Sequence, residues 1–193
     1  MVKLNKIYTR TGDDGTTGLV DASRIAKNDP LMEAIGAVDE TNSAIGVAMV
    51  AMEHQPIFQA MLSVVQNDLF DLGADLATPA GPGPDFSPSE MVLRIVASQI
   101  VRLENQIDTM NETIAPLTSF ILPGGSEAAA RIHVARATAR RAERAMVAVS
   151  SQRPINPDAI AYINRLSDYL FVMARAINIE GRGDVLWVPG ASR

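Results

Sequence analysis

The chain contains no cysteine in 193 residues. Disulfides, thiolate metal centres and a cysteine nucleophile are thereby excluded, while the compartment stays open. Histidine is nearly as scarce, limited to His54 and His133. A ferritin-like di-metal centre needs Glu-x-x-His pairs on facing helices. The residues three before the two histidines are Ala51 and Ala130, so that reading fails. A Ser-His-Asp hydrolase has no supporting local motif, and His133 reads as a structural or edge histidine rather than a base. Aromatic residues make up only 5%. Leu, Ile, Val, Met and Ala must then carry the core, which favours helices over sheets. Basic charge is also in deficit: the formal net charge is −5, which gives nucleic-acid binding no global electrostatic support. No apolar run is long enough to span a bilayer. The N-terminal MVKLNKIYTR lacks the apolar centre of a signal peptide. A soluble, cytoplasmic, single-domain protein over residues 1–193 is the expectation, with no nucleic-acid or membrane partner.

What the chain does have is a concentration of arginine in one stretch, FILPGGSEAAARIHVARATARRAER, residues 120–144. Pro123-Gly124-Gly125 breaks the periodicity, and Ser126 is placed to cap a helix. From Arg131 to Arg144 there are five Arg and one Glu. Ala128, Ile132, Ala135, Ala139, Ala142, Met146 and Val149 recur at spacings of four and three, the pattern of a bundle seam. Arg136, Arg140 and Glu143 recur one residue later, about 100° around the helix. The small seam residues allow close helix approach, and the grouped arginines beside them suit an anion.

Four more helices are predicted. Asp29-Pro30 opens the first, with Leu31, Ile35, Val38, Asn42, Ile45, Met49 and Met52 in its seam. Asn42 in that seam suits a register-fixing role. Asp39 neighbours it and, on position alone, reads as an ordinary exposed acid. The second follows Pro56, with Phe58, Leu62, Val65, Leu69, Leu72 and Leu76 inward and Asp68, Asp71 and Asp75 expected in solvent. After a Pro- and Gly-rich loop at 78–90, a third helix is expected from Pro88 to Met110, using Leu93, Val96, Ile100 and Leu103. The last is expected from Pro157 to Glu180, with Asn164, Asp168, Phe171 and Arg175 forming a stripe beside its seam. Heptad-like seams and mostly short loops predict an all-α fold, an antiparallel five-helix bundle.

Residues 1–29 match no regular element beyond a brief extended run at Ile7-Tyr8-Thr9. Thr9–Gly18 holds three Gly and four Thr in ten residues. Such a segment can turn several N–H groups and hydroxyls toward one ligand, and Lys27 adds a charge. The P-loop pattern is absent. A Gly/Thr loop, a lysine and an arginine stripe carrying Glu143 together suit a polyphosphate better than acid–base chemistry.

In order and spacing, TRTGDDGTTGL, AVDETNSAIG, FILPGG, ARATARRAER and NRLSDYLF resemble the PduO-type ATP:cob(I)alamin adenosyltransferases, the corrinoid adenosyltransferases, over about Lys6 to Arg175. The resemblance implies a homotrimer with active sites between subunits and a transferase that moves the 5′-deoxyadenosyl group of ATP to cob(I)alamin. The products would be adenosylcobalamin and triphosphate. It implies ATP contacts from Thr9, Arg10, Thr11, Gly12, Thr17, Gly18 and Lys27 in the segment 1–29, and from Arg140, Arg141, Glu143, Arg144 and Asn164. It pairs Asp39 with Arg136 across subunits and places Phe120 under the corrin. Mg2+ would accompany the phosphates, held mainly by them, with no protein metal ligands identified. A reductase or a cobalamin-dependent enzyme would be a further partner. Gly18 departs from the Ser or Thr common in relatives, and the tail with Trp187 matches too weakly to carry a role. Two other classes fit parts of the pattern: a carrier of adenosylcobalamin, and a helical interaction protein with a salt-bridged arginine face.

Overall fold

The structure is a computed structural model that describes residues 8–81, 83–179 and 183–193. The extended run expected at Ile7 and the helix end expected at Glu180 lie outside the described residues. Five helices build the fold: α1 Pro30–Val50, α2 Pro56–Leu76, α3 Ala97–Asn111, α4 Glu127–Ser150 and α5 Pro157–Ile179. Start signals in the sequence explain most of these ends. The Asp29 carboxylate accepts from Leu31 N at 2.8 Å, with Pro30 behind it. Ser126 Oγ accepts from Ala129 N at 3.2 Å. Pro56 and Pro157 occupy first turns, where a missing N–H costs nothing.

All seven predicted seam residues of α4 are buried. Ala34, Ala37 and Ala48 of α1 are buried as well, and the α1–α4 pairing is the most extensive among the described residues. The larger payload comes from residues such as Ile45, Leu62, Leu72, Leu103 and Ile163, all fully buried. Each contributes about 1.5–3 kcal/mol relative to an exposed side chain. Asn42 is buried and ties α1 to α2: its Nδ2 donates to Gln66 O at 3.1 Å, and Gln66 Nε2 donates to Asn42 O at 3.2 Å.

Helices adjacent in sequence alternate in direction, but their order in space differs from their order in the chain. The packing runs α2, α1, α4, α5, α3. Glu104 meets Arg165, and Met110 lies beside Ala176, so α3 runs parallel to α5. The segment 112–126 therefore crosses the C-terminal end of α5 before α4 begins.

Three expectations fail for physical reasons. The third helix begins at Ala97, not Pro88, and Leu93 is exposed. Arg94, one residue on, is drawn inward in an extended segment. Its Nη1 donates to the Asp75 carboxylate and to Thr78 O, each at 2.8 Å, and its Nη2 donates to Pro79 O. Secondly, Asp68 and Asp75 are buried, not in solvent, and Asp71 is half-buried. Asp75 also accepts from Ile95 N and Asn156 Nδ2, at 2.8 and 2.7 Å. Asp68 accepts from Tyr162 OH at 2.8 Å, from Gln99 Nε2 at 2.9 Å and from Arg102. Each carboxylate is a saturated acceptor, which is what makes its burial tolerable. Burial and the Asp68 charge push the Tyr162 hydroxyl well above its ordinary value. Thirdly, the N-terminal segment is not wholly irregular. β1 (Thr16–Gly18) and β2 (Arg24–Ala26) form an antiparallel hairpin. It is seated by Val20 N donating to Ala77 O at the end of α2.

Candidate functional site

The five α4 arginines divide into two groups. Arg131 pairs with Glu127 one turn away, and Arg141 is held between Glu33 and Glu40 of α1. Arg136, Arg140 and Arg144 have no carboxylate partner among the described residues. They follow at spacings of four, so they form one stripe. Arg144 Nη1 donates to Arg140 O at 3.0 Å, which leaves the charge itself uncompensated.

Arg136 is half-buried, and its Nε is buried without a hydrogen-bond partner. Its guanidinium lies 5.8 Å from the Phe171 ring centroid. Burial, and then the charge of Arg140, pull its pKa below the ordinary arginine value. A bound anion would oppose both, because a nearby opposite charge favours the charged guanidinium. Beside the stripe, Asn164 Nδ2 donates to Glu143 Oε1 at 2.6 Å, which fixes a polar ledge between α4 and α5. His133 is buried against Phe171, with ring centroids 6.4 Å apart. Neither ring nitrogen has a hydrogen-bond partner among the described residues.

The N-terminal loop is closed by cations from beyond β1. Lys27 Nζ donates to Gly12 O at 2.8 Å, and Arg24 Nη2 to Thr11 O at 2.6 Å. A Cβ at Gly12 would lie 3.1 Å from Lys27 Nζ and from Thr16 O, a tight approach that glycine relieves. Thr9 and Thr11 join through their hydroxyls at 2.8 Å, and Arg10 takes φ +63°. Thr17 and Gly18 are in β1, paired with Ile25 and Arg24. None of the hydrogen bonds that seat this hairpin reaches the α4 arginines.

Asp39 is exposed and forms no ion pair within the described residues. It lines a groove between α1 and α2 with Met32, Ile35, Gly36 and Phe70. One chain does not bring it to Arg136.

Phe120 is 77% exposed and does not anchor the core. Its ring meets Trp187 edge-on, centroids 6.0 Å apart. Trp187 N donates to Phe120 O at 2.7 Å, and Leu122 N donates to Val185 O at 2.8 Å. The tail thus runs as an antiparallel partner to the Phe120 segment, bridging Ile121 to Leu186. The cavity at the other end of the bundle, about 350 Å³, is walled by Leu19, Leu76, Phe86 and Ile155 and shares no residue with the stripe.

The family model described as Cobalamin adenosyltransferase matches residues 7–177. The chain belongs to the cobalamin adenosyltransferase family. A corrinoid adenosyltransferase of Mycobacterium tuberculosis (strain ATCC 25618 / H37Rv) is 47% identical over 194 residues, covering 100% of this chain and 97% of that protein. Among solved structures, a phenylalanine-to-alanine variant of a PduO-type ATP:corrinoid adenosyltransferase from Lactobacillus reuteri, complexed with cobalamin and ATP, superposes with a TM-score of 0.85. It is 38% identical, with 94% of this chain and 99% of that one covered. An arginine-to-lysine variant of the same enzyme complexed with ATP gives a TM-score of 0.83 at 38% identity, covering 94% of this chain and 100% of that one. The five-helix bundle read from the seams is the fold of this family.

Sequence reasoning missed several residues that shape the site. Arg24 closes the Thr11 turn, and its only signal was its place in a short β-hairpin. Arg175 was legible as a stripe residue, but its partners are contributed by segments with no periodicity. Asn178 grips the turn before α4, and nothing in its spacing distinguishes it from a seam neighbour.

Proposed function

We propose that the protein is an ATP:corrinoid adenosyltransferase that moves the 5′-deoxyadenosyl group of ATP to cob(I)alamin. The observation that carries this is the stripe of Arg136, Arg140 and Arg144. Three adjacent guanidiniums lack a carboxylate among the described residues, in a chain of net charge −5. A triphosphate supplies the missing charge, and guanidinium forks suit its oxygens.

In this reaction a Co–C bond forms at C5′ as the C5′–O bond breaks, and triphosphate departs with the electron pair. Reduced cobalt is itself the nucleophile, so the protein has no general base to provide. Its tasks are to hold ATP in line and to stabilise the charge gathering on the leaving group. Arg140 and Arg144 do the second from α4. Glu143 and Asn164 give a fixed ledge for the nucleoside, and Thr9, Arg10, Thr11, Gly12, Thr17, Gly18 and Lys27 enclose the phosphates from the hairpin side. Arg141 must exchange Glu33 or Glu40 for phosphate if it joins them. Mg2+ prefers hard oxygen ligands. The triphosphate oxygens would be its main ligands here.

The hairpin and the arginine stripe are not joined within one chain. Asp39 and Arg136 are likewise apart, and each lacks an opposite charge. A site assembled between copies, in a homotrimer, accounts for both. Phe120, exposed at the head of α4, is placed against the corrin. A reductase that supplies Co(I) and a cobalamin-dependent enzyme that takes the product are the partner classes this chemistry requires, in the cytoplasm. No helix is long and apolar enough to cross a membrane among the described residues.

The test is turnover. ATP and chemically reduced cobalamin should yield adenosylcobalamin and triphosphate in equal amounts. Binding of both without product would convert the reading to a carrier, and no ATP-dependent thermal shift would leave only an interaction protein.

A further inference from the structure

The Phe120 segment is held from underneath by one residue that no motif covers. Arg175 is on the last turns of α5, and its side chain is only 9% exposed. Its two ends reach two different pieces of chain. Nη2 donates to Ala115 O at 2.7 Å, at the start of the segment that carries Phe120. Nε donates to Asp184 Oδ2 at 2.8 Å, at the start of the tail. The tail then pairs with the same segment through Val185 and Trp187, and Ser119 Oγ donates to Trp187 O at 2.8 Å. One turn further along α5, Asn178 accepts from Ser126 N and donates to Gly124 O. Phe120 is thus at the middle of a stretch clamped at Ala115, at Gly124 and along one edge.

The ring itself has little beneath it apart from Trp187. Its exposure is 77%, so packing into the bundle cannot set its angle. What sets it is the backbone at 119–122 and the Trp187 ring, and both depend on where the tail lies. Asp184 is the ionic anchor of that tail, with a side chain 15% exposed. A charge-assisted bond in such a sheltered position is stronger and more directional than a surface pair.

We propose that the Arg175–Asp184 pair is a positioning device for the cobalamin-side reaction: it docks the C-terminal tail so that Trp187 fixes the Phe120 ring. Neither residue touches the reacting atoms. The inference rests on the reading that Phe120 faces the corrin, and it adds a role for the tail that this reading does not contain. Displacing a positioned group by an ångström can cost about 100-fold in rate. The pair therefore governs the step that uses Phe120 and leaves nucleotide binding alone.

The experiment uses the full chain with Asp184→Ala, Asp184→Glu and Arg175→Lys. Asp184 is outside the helices, so Asp184→Ala should keep wild-type helicity, while its melting temperature falls because the buried Arg175 loses its counter-charge. Trp187 is the only tryptophan, so its fluorescence reports on the tail directly. In Asp184→Ala its emission should shift to the red and its quenching by acrylamide should rise. KM for ATP should stay unchanged, while turnover from Co(II)alamin plus reductant falls by roughly 10- to 100-fold. The four-coordinate signature of bound Co(II)alamin should weaken in parallel. Asp184→Glu should restore part of each signal. Arg175→Lys, which keeps the charge but cannot span both partners, should fall between wild type and Asp184→Ala. Unaltered Trp187 quenching in folded Asp184→Ala would overturn the device. So would altered quenching with an unaltered Co(II) signature, or a raised KM for ATP with turnover otherwise kept. A wild-type protein that fails to make adenosylcobalamin would instead overturn the functional reading, and the Trp187 measurement would still decide whether the pair docks the tail.

Discussion

The side-chain amide of Asn178 fills the space in which a Cβ of Gly125 would stand. Such a Cβ would lie 2.3 Å from Oδ1 and 2.4 Å from Nδ2. Gly125 also takes φ +103°, a region that side chains rarely enter. The last turn of α5 thus holds the backbone turn that launches α4, and the two constraints coincide at one residue.

Gly125→Ala should therefore strain the backbone and evict Asn178 together. Strain and the lost hydrogen bonds sum to about 2–4 kcal/mol. Denaturant unfolding measures this directly. A variant as stable as the wild type would mean that Asn178 swings aside freely and does not grip the turn.

Arg140→Ala should lose turnover without losing structure. The guanidinium has no carboxylate partner among the described residues to leave unpaired, so folding should be indifferent. One charge-assisted contact to phosphate contributes about 1.5–3 kcal/mol, which corresponds to about a ten- to hundredfold drop in kcat/KM for ATP. Circular dichroism and sedimentation should match the wild type. Near-normal kinetics would remove Arg140 from the nucleotide site.

Asp39 and Arg136 should be coupled although they are apart within one chain. Arg136→Asp and Asp39→Arg each leave a like-charge contact across the expected boundary. Both should weaken assembly and turnover. The double reversal should recover a measurable part of each, because the coupling energy between contacting charges survives exchange of signs. Strict additivity of the two single effects, in sedimentation and in rate, would show that they do not meet.

The elements most legible in the sequence were those in which periodicity and packing agree. In α4 every seam residue is buried, because its alanines leave no alternative face for close approach to α1. The start of α3 was illegible for the opposite reason. Leu93 and Val96 continue a helical spacing, but Arg94 between them has a buried carboxylate, Asp75, and three backbone carbonyls to satisfy. Those bonds are made only if the chain stays extended. Asp68 and Asp75 show the same limit, since spacing assigns them a helix face but cannot reveal the Tyr162, Gln99, Asn156 and Arg partners that arrive from other segments. In the candidate site, the arginine stripe was visible as spacing. Which arginines are already neutralised depends on Glu33 and Glu40, some hundred residues away in the chain. The tail was opaque because its strand pairs through backbone groups, which leave no pattern in residue type.

Acid should destabilise the protein in a window governed by His133. Burial, and then the charge of Arg136, hold this imidazole below its ordinary value, against a weaker opposing pull from Asp184. The unfolded chain therefore takes up the proton at a higher pH than the folded one. Stability is fully present above the ordinary histidine value, about 6.5, and falls as pH drops below it. Carboxylates held low, such as Asp29, respond only at more acidic pH. Chemical unfolding at about pH 7.5 and 5.5 should show this slope in the wild type and a flatter one in His133→Gln. An equal slope in both would assign the pH dependence elsewhere.

Phe120 should act on the cobalt and not on ATP. It is exposed at the head of α4, on a segment backed by Trp187 and followed by the Pro-Gly-Gly turn. Co(II) with a lower axial ligand is hard to reduce, because reaching Co(I) requires that ligand to leave. An apolar ring against the lower face excludes both water and the nucleotide base, and binding energy gained elsewhere on cobalamin offsets the displacement. Phe120→Ala should keep its affinity for ATP and its fold, since the ring contributes little to the core. Turnover should collapse when Co(II) must be reduced on the protein and be less impaired when Co(I) is supplied ready-made. The spectrum of bound Co(II)alamin should lose its four-coordinate component. If that component persists undiminished in folded Phe120→Ala, the displacing group is another residue, and the exposed ring of Phe120 serves only to hold Trp187 and the tail.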